Sequence, residues 1–473
     1  MAEKFDLVVI GSGPAGEKGA TQAAYFGYRV AIVERSDALG GSPVSTAGIP
    51  TKTLRETALY VTGFQQRDVY GLSLQLDPEA TLERLMSRTE EVISTSQDRV
   101  RRNIERHSIA LYRGTATLRP GHRVVVNSND RETALEANAV LVATGSRPFR
   151  PSGIPFDDPD VHDSEDIIRT DRIPKTLVVV GGGPVGCEFA SIFTALGVDV
   201  TLVDSAERLL PFMDAEISAL LAHAFRGMGA RMVLGSGVAT IERVGGELRV
   251  SLADGEVLRP DKVLFAAGRA GNTENLGLEA AGVDVDARGR ILVDRQFRTT
   301  AEGIYAAGDV IGPPALASVS TEQGRVAVCH ALGIPFKATV DPLAPFGIYS
   351  IPEVAMVGLT EEVAKDRSID YDVGRGWFTD NTRANIAGST EGLLKLVFRR
   401  DDKTLLGVHI LGDIAGELIH QGQAVLHSGG TIDRFIHATF NVPTRSDAYK
   451  YAAYDGLQRL AGRAVGADSA VVR

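Results

Sequence analysis

A chain of 473 residues, 44% hydrophobic and 23% charged, has room for roughly three domains of about 150 residues and the balance of a soluble globular enzyme. Its net charge of −10 excludes nucleic acid and a membrane as expected partners, because both want a positive face; small molecules suit it better. Two cysteines, Cys187 and Cys329, exclude a disulfide framework and a cysteine-rich metal site, and no apolar run approaches the roughly 18 residues that span a bilayer. Met1-Ala2-Glu3-Lys4 leads straight into an apolar run without a signal-peptide h-region, so the expected location is the cytoplasm and no metal is expected.

Phe5 to Ile10 reads as a strand that meets Gly11-Ser12-Gly13-Pro14-Ala15-Gly16 and then an alanine-rich helix, Glu17 to Phe26. A second strand, Arg29 to Val33, ends in Glu34. Strand, GxGxxG, helix, strand and acid form a dinucleotide-binding unit: Gly11 turns the chain, Gly13 admits a pyrophosphate, Gly16 lets helix and strand pack, and Glu34 accepts from ribose hydroxyls. The next stretch, Gly40 to Lys52, opens a helix that faces whatever the nucleotide carries. Gly40 and Gly41 let backbone approach a ligand, and Thr51 and Lys52 put a hydroxyl and a cation at the helix start.

Glu83 to Arg106 predicts a long polar helix, and Val140 to Val142 a buried strand ending in the turn Ala143-Thr144-Gly145. The first pattern then repeats. Thr176 to Val180 leads into Gly181-Gly182-Gly183-Pro184-Val185-Gly186 and a helix from Cys187 to Leu196; a strand, Val198 to Val203, ends in Asp204. The interval from Gly181 to Asp204 equals that from Gly11 to Glu34, and intact glycines and acids in both copies imply two bound dinucleotides. Strand-then-glycine turns recur at Val263 to Gly268 and at Ile304 to Asp309. Asp309 at a strand's C-terminal edge lies where ligands bind in an open α/β sheet, or else is a solvated turn residue.

Beyond Asp341-Pro342-Leu343-Ala344-Pro345 the character changes. Leu393 to Phe398 and Leu405 to Leu411 predict antiparallel strands, and Ile414 to His427 and Asp447 to Leu460 predict helices. The fold class is therefore α/β, with two Rossmann-like dinucleotide-binding domains and a C-terminal α+β domain. The expected division is 1–150 for the first nucleotide domain, 151–275 for the second, 276–342 for a return segment completing the first, and 343–473 for the last domain. The final ten residues read as frayed.

These pieces in this order resemble the two-dinucleotide-binding flavoproteins, the family of lipoamide dehydrogenase, glutathione reductase and mercuric reductase. The resemblance runs nearly end to end, through both glycine motifs, the Gly40-to-Lys52 stretch, Ala143-Thr144-Gly145, Glu188, Ala267-Gly268-Arg269, Ala307-Gly308-Asp309-Val310 and Pro443-Thr444. It implies FAD on the first unit, a nicotinamide dinucleotide on the second, and a homodimer through the last domain. It also implies that Asp309 holds the ribityl chain, that the helix near Ala317 points its positive N-terminus at the flavin's pyrimidine edge, and that Lys52, held by Glu188, lies near flavin N5.

The chain departs from the disulfide reductases of that family at three places. Pro43 and Gly48 stand where a redox cysteine pair is found, and Val442 stands where a histidine acid/base precedes Pro443-Thr444. Cys187 and Cys329 fall in helical patterns that read as buried, and Asp447, with no histidine to orient, reads as a helix-start residue. Thiols and acid/base are lost together, which points away from thiol chemistry. The stretches 48–55, 346–353 and 440–444 are more similar to the soluble pyridine nucleotide transhydrogenases, which lack both groups. That resemblance implies hydride transfer from NAD(P)H through flavin to a second nicotinamide. The alternatives are an NADH diaphorase, quinone reductase or oxidase, and a flavoprotein subunit without catalysis. Asp204-Ser205-Ala206-Glu207 favours NAD(H) and leaves NADP(H) open.

Overall fold

A computed structural model describes residues 2–64, 67–71, 77–128 and 131–462. The frayed end expected over the last ten residues lies outside them. The first sheet runs in the order Ala110–Arg113, Val30–Glu34, Glu3–Ile10, Arg131–Val142, Arg123–Ser128, Thr115–Arg119, with Ile304–Ala306 paired to Arg131–Val142 as well. Glu3–Ile10 is parallel to Val30–Glu34 and to the end of Arg131–Val142, with Ile10 opposite Val33 and Val142; Ala306 also faces Val142. This register ends four strands on one edge, so that the Gly11 loop, Glu34, the 143–145 turn and the 307–309 turn converge there.

The second sheet has five parallel strands in the order Arg231–Leu234, Asp199–Asp204, Thr176–Val180, Lys262–Phe265, Val161–Asp163. Val180 faces both Val203 and Phe265, which brings the Gly181 loop, Asp204 and the 266–268 turn to a shared edge. Its central strands Thr176–Val180 and Lys262–Phe265 are nearly continuously buried because both faces are covered. Helices Pro184–Ala195 and Ala215–Met228 pack on one side, and the antiparallel strands Val238–Val244, Glu247–Leu252 and Val257–Leu258 contribute Ile241, Leu248, Val250 and Leu252 to the other. A short antiparallel ribbon, Ser146–Pro148 with Arg269–Gly271, joins the two units.

The last domain is a five-stranded antiparallel sheet in the order Phe346–Ile348, Val354–Gly358, Leu405–Leu411, Leu393–Arg399, Tyr371–Trp377, with helices Ala415–His427 and Ala448–Leu460 over its core. Gly374 and Gly376 are required by close approach: a β-carbon at either would strike a backbone carbonyl of the Ala448–Leu460 helix. The architecture is thus the expected α/β pair of nucleotide units with a C-terminal α+β domain. No helix among the described residues is long and apolar enough to cross a membrane.

Two elements differ from the sequence expectation. The long polar helix begins at Pro78, not near Glu83, because Asp77 caps it, accepting from the N–H groups of Glu79 and Ala80. The region before Val140 is also strand: Arg131–Val142 forms an antiparallel meander with Arg123–Ser128 and Thr115–Arg119 before its end joins the parallel core.

The second nucleotide unit is bolted to the last domain by buried charge. Lys395, fully buried on Leu393–Arg399, donates to both carboxylate oxygens of Asp214 at 2.8 and 3.0 Å, lies 2.9 Å from Glu216, and also pairs with Glu361. The three carboxylates converge like a cation site, and the Lys395 ammonium occupies its centre.

Candidate active site

The first glycine loop divides its work among its glycines. A β-carbon at Gly11 would strike the Ala143 carbonyl oxygen, and one at Gly16 the Gly11 carbonyl oxygen, so these two are fixed by protein packing. At Gly13 a β-carbon would meet nothing within 4 Å. No protein atom demands that glycine, and the open space beside it belongs to a cavity that Gly13 lines. The second loop repeats the division: Gly181 faces the Ala266 carbonyl oxygen at 2.7 Å, Gly186 strikes Gly181, and Gly183 is open.

The acids are held alike in both units. Glu34 Oε2 accepts from Ser12 N–H at 2.9 Å and from its hydroxyl at 2.7 Å, while Oε1 accepts from Ser36 N–H at 2.9 Å. Asp204 accepts from Gly182 N–H, and from Ala206 N–H at 2.7 Å. Each acid therefore clamps its glycine loop as well as facing the strand edge.

A cavity of about 470 Å³ lies along the first unit's edge, lined by Gly11, Gly13, Glu34, Gly41, Thr144, Gly145 and Asp309, among others. Asp309 is aimed by two hydroxyls, Ser146 at 3.1 Å and Ser320 at 3.0 Å. Gly268, at positive φ beside the ribbon, is followed by Arg269, whose guanidinium donates to the Ser146 hydroxyl and carbonyl at 2.7 Å each. A second cavity of about 670 Å³ shares Pro14 and Pro43 with the first and is lined by Gly40, Gly48, Lys52, Ala317 and Tyr349, among others. Ala317 is the first residue of helix Ala317–Ala331, whose N-terminus has no side-chain cap and leaves its N–H groups toward this space.

Lys52, on helix Ile49–Thr62, donates to both carboxylate oxygens of Glu188 at 2.8 Å, and Glu188 is nearly buried on helix Pro184–Ala195. Tyr349, from the last domain, donates its N–H to Glu188 at 3.0 Å and places its ring 5.0 Å from the Lys52 ammonium. Arg55, one helical turn on, is buried and donates to the Ser350 carbonyl at 3.0 Å, with Glu353 at 3.3 Å. Burial pushes the Glu353 carboxyl and the Tyr349 hydroxyl up from their usual values. The stretches 48–55 and 346–353, far apart in sequence, are thus one contact.

Pro43 and Gly48 pack directly together: a β-carbon at Gly48 would lie 2.7 Å from the Pro43 carbonyl oxygen. Neither cysteine lines either cavity. Both are buried, and burial pushes both thiols up, so neither offers a thiolate. Val442 is exposed, and Asp447 stands at the start of Ala448–Leu460 without capping it. Of the predicted residues, those of the first unit other than Gly16 lie along the two cavities, Gly181, Gly183 and Asp204 lie at the second unit's strand edge, and Gly16 and Gly186 pack against the carbonyls of Gly11 and Gly181. Ser12, Ser146, Ser320 and Tyr349 were missed; only Ser12, inside the glycine motif, carried a local signal.

Residues 5–324 match the model of the pyridine nucleotide-disulphide oxidoreductases, and residues 344–453 match the dimerisation domain of the same family. The chain belongs to that family. Relatives named soluble pyridine nucleotide transhydrogenase include one from Mycobacterium bovis, 43% identical over 97% of this chain and 98% of its own length. Another, from Chromohalobacter salexigens, is 40% identical over 96% of this chain and 99% of its own length. Among solved structures, LpdA from Mycobacterium tuberculosis superposes with a TM-score of 0.86 at 29% identity, covering 96% of this chain and 99% of that one. The HOCl-induced flavoprotein disulfide reductase RclA from Escherichia coli has the same TM-score at 27% identity, covering 95% and 99%.

Membership of the pyridine nucleotide-disulphide oxidoreductases implies FAD and a nicotinamide nucleotide, and the matched dimerisation domain implies a homo-oligomer. The residues present fit such ligands. Gly13 and Gly183 are glycines that no protein contact explains, and the Thr144 hydroxyl, on the first cavity's wall, is buried without a hydrogen-bond partner.

Proposed function

We propose that this chain transfers hydride between nicotinamide dinucleotides by way of a bound flavin, as a soluble pyridine nucleotide transhydrogenase. One observation carries the reading: Lys52–Glu188 and both nucleotide cradles are intact, while Pro43 and Gly48 close on each other where a dithiol would stand. FAD, when bound, supplies the group that accepts a hydride from one nicotinamide and returns it to another. Gly11, Gly13, Glu34, Gly40, Gly41, Thr144, Gly145, Asp309 and Ala317 would hold it. Gly181, Gly183, Asp204 and Gly268 would hold the nicotinamide dinucleotide, with Gly186 packing the helix start against the Gly181 turn.

The chain's own contribution is electrostatic and steric. Lys52 presents a cation to the cavity it lines, and Glu188 fixes that cation's position while offsetting its partial desolvation. The uncapped N-terminus of Ala317–Ala331 adds a partial positive charge to the same space. The reading asks no side chain to shuttle a proton, and Val442, which carries no titratable group, agrees with that. The reading includes a cytoplasmic homodimer formed through the last domain.

The test is incubation of the holoenzyme with NADH and thio-NAD⁺, watching for the reduced thio analogue without added thiol; none formed would sink the reading. The cavity of about 670 Å³ beyond Pro43 and Gly48 favours a second reading, an NADH diaphorase that delivers electrons to a quinone there.

A further inference from the structure

The ion pair of Lys52 and Glu188 has a third member from a third part of the chain. Lys52 stands on helix Ile49–Thr62, Glu188 on helix Pro184–Ala195, and Tyr349 directly follows the strand Phe346–Ile348 of the last domain. Tyr349 touches both partners: its N–H donates to Glu188 Oε1 at 3.0 Å, and its ring centroid lies 5.0 Å from the Lys52 ammonium. The three N–H donors of that ammonium are matched by Glu188 Oε1 and Oε2 at 2.8 Å and by the Thr51 hydroxyl at 3.3 Å. Lys52 therefore offers the cavity a charge and no spare hydrogen bond, so the position of that charge decides what it does.

The Tyr349 ring is held for this contact. Two glycines flank its edges: a β-carbon at Gly347 would lie 3.7 Å from Cε2, and one at Gly416 would lie 3.5 Å from Cε1. With both edges bracketed, a face of the ring is turned to Lys52. The hydroxyl makes no hydrogen bond among the described residues. Burial, with Glu353, Glu417 and Glu188 around it, pushes its pKa up, so the ring stays neutral through the working range. A neutral aromatic face within about 6 Å of an ammonium attracts it. Tyr349 and Lys52 both line the second cavity, so whatever fills that cavity meets the charge where the ring keeps it.

We propose that Tyr349 is a positioning residue for hydride transfer: its ring face holds the Lys52 ammonium, and its N–H the Glu188 carboxylate, at the wall of the second cavity. The last domain thereby helps to set the charge that the first nucleotide unit presents to its ligand. This rests on the reading that flavin meets Lys52 in that cavity. The Lys52 side chain is 33% exposed, so without the ring it keeps Glu188 but is free to lean toward solvent, away from the ligand.

Tyr349→Leu removes the ring and leaves the N–H bond to Glu188 in place. In the holoenzyme it should slow single-turnover flavin reduction by NADH about five- to tenfold, the effect of losing one cation–π contact beside a reacting centre. It should also lower the flavin's midpoint potential, measured by dye equilibration, which does not depend on turnover. Tyr349→Phe keeps the ring and lacks the hydroxyl, and should restore both rate and potential toward those of the unaltered protein. In a Lys52→Met background, Tyr349→Leu should change the rate by less than about twofold, because the cation that the ring positions is gone. Tyr349→Met takes the place of the leucine variant if that one loses FAD. A phenylalanine variant as slow as the leucine one, or a leucine loss that persists in full without Lys52, would overturn the role of the ring. Rate and potential indifferent to Lys52→Met alone would overturn it together with the electrostatic reading of Lys52. Transfer from NADH to thio-NAD⁺ is scored in the unaltered protein, so the hydride reading stands or falls separately.

Discussion

Gly48 lies against Pro43 so closely that a β-carbon added to it would sit 2.7 Å from the Pro43 carbonyl oxygen and 3.0 Å from its Cα. Any side chain at position 48 therefore requires the backbone around Pro43 to shift, so a thiol pair does not fit here without that shift. Gly48→Ala should lower the thermal midpoint, since forcing a methyl against backbone costs about 1–3 kcal/mol. The double variant Pro43→Cys/Gly48→Cys should stay inactive with disulfide substrates, because Val442 supplies no base either. Disulfide-dependent NADH oxidation above that of the unaltered protein would refute this.

Lys52 and Glu188 form a bidentate ion pair between the two nucleotide units, and Lys52 lines the second cavity. Lys52→Met should slow flavin reduction by NADH about 10²-fold in a single-turnover experiment, the usual effect of removing one preorganised charge at a reacting centre. Glu188→Gln keeps one acceptor oxygen, which Lys52 and the Tyr349 N–H can share, and should slow it roughly tenfold. FAD content, measured after unfolding each variant, should be unchanged.

The glycine loop predicts a split between folding and binding. Gly13→Ala should fold normally and lose FAD affinity by about tenfold or more, since its β-carbon would enter the ligand's space. Gly16→Ala should destabilise the protein itself, because its β-carbon would strike the Gly11 carbonyl oxygen. Circular dichroism melts alongside flavin retention separate the two. A Gly13→Ala protein that kept full FAD affinity would remove the fit argument for the first unit.

Much of this site is legible in the sequence because it is local. Glycine spacing, a following acid and a strand before each loop are enough to set the cradles, and Lys52 with Glu188 follows from the family resemblance. Tyr349 is not legible, because its bond to Glu188 spans two domains and no periodicity links them. Lys395 is a partial miss: a lysine centred in the apolar run Leu393 to Phe398 signals an inward-facing charge, but its partner Asp214 cannot be read from spacing. The meander over 115–142 escapes for another reason. Val124-Val125-Val126 is a continuous apolar run without the alternation of a half-exposed strand.

The Lys395 bolt predicts an acid-sensitive junction. Burial and the Lys395 ammonium keep His409 below its usual 6.5, so the unfolded chain takes up that proton first and stability falls as pH drops below 6.5. Against the opposing effect of burial, neighbouring positive groups hold Asp214 and Glu216 below their usual 3.8 and 4.5. Their contribution is complete above those values and is lost below them. Lys395, opposed by burial but raised by Asp214 and Glu216, loses its contribution only as pH rises past 10.5. The thermal midpoint should be flat near neutrality and fall from about pH 6.5 downward; His409→Gln should delay that fall until near pH 4.5. Lys395→Met, which leaves the buried Asp214 carboxylate without its counter-ion while Glu216 keeps Arg375, should cost about 3–5 kcal/mol.

The central claim is that hydride leaves this enzyme to a second nicotinamide. Under anaerobic conditions the holoenzyme is reduced with one equivalent of NADH, freed of NAD⁺, and mixed with thio-NAD⁺ in one stopped-flow experiment and with a quinone in another. The account predicts that thio-NAD⁺ reoxidises the flavin and yields one equivalent of the reduced thio analogue. A flavin that stays reduced with thio-NAD⁺ and is reoxidised only by the quinone would contradict it.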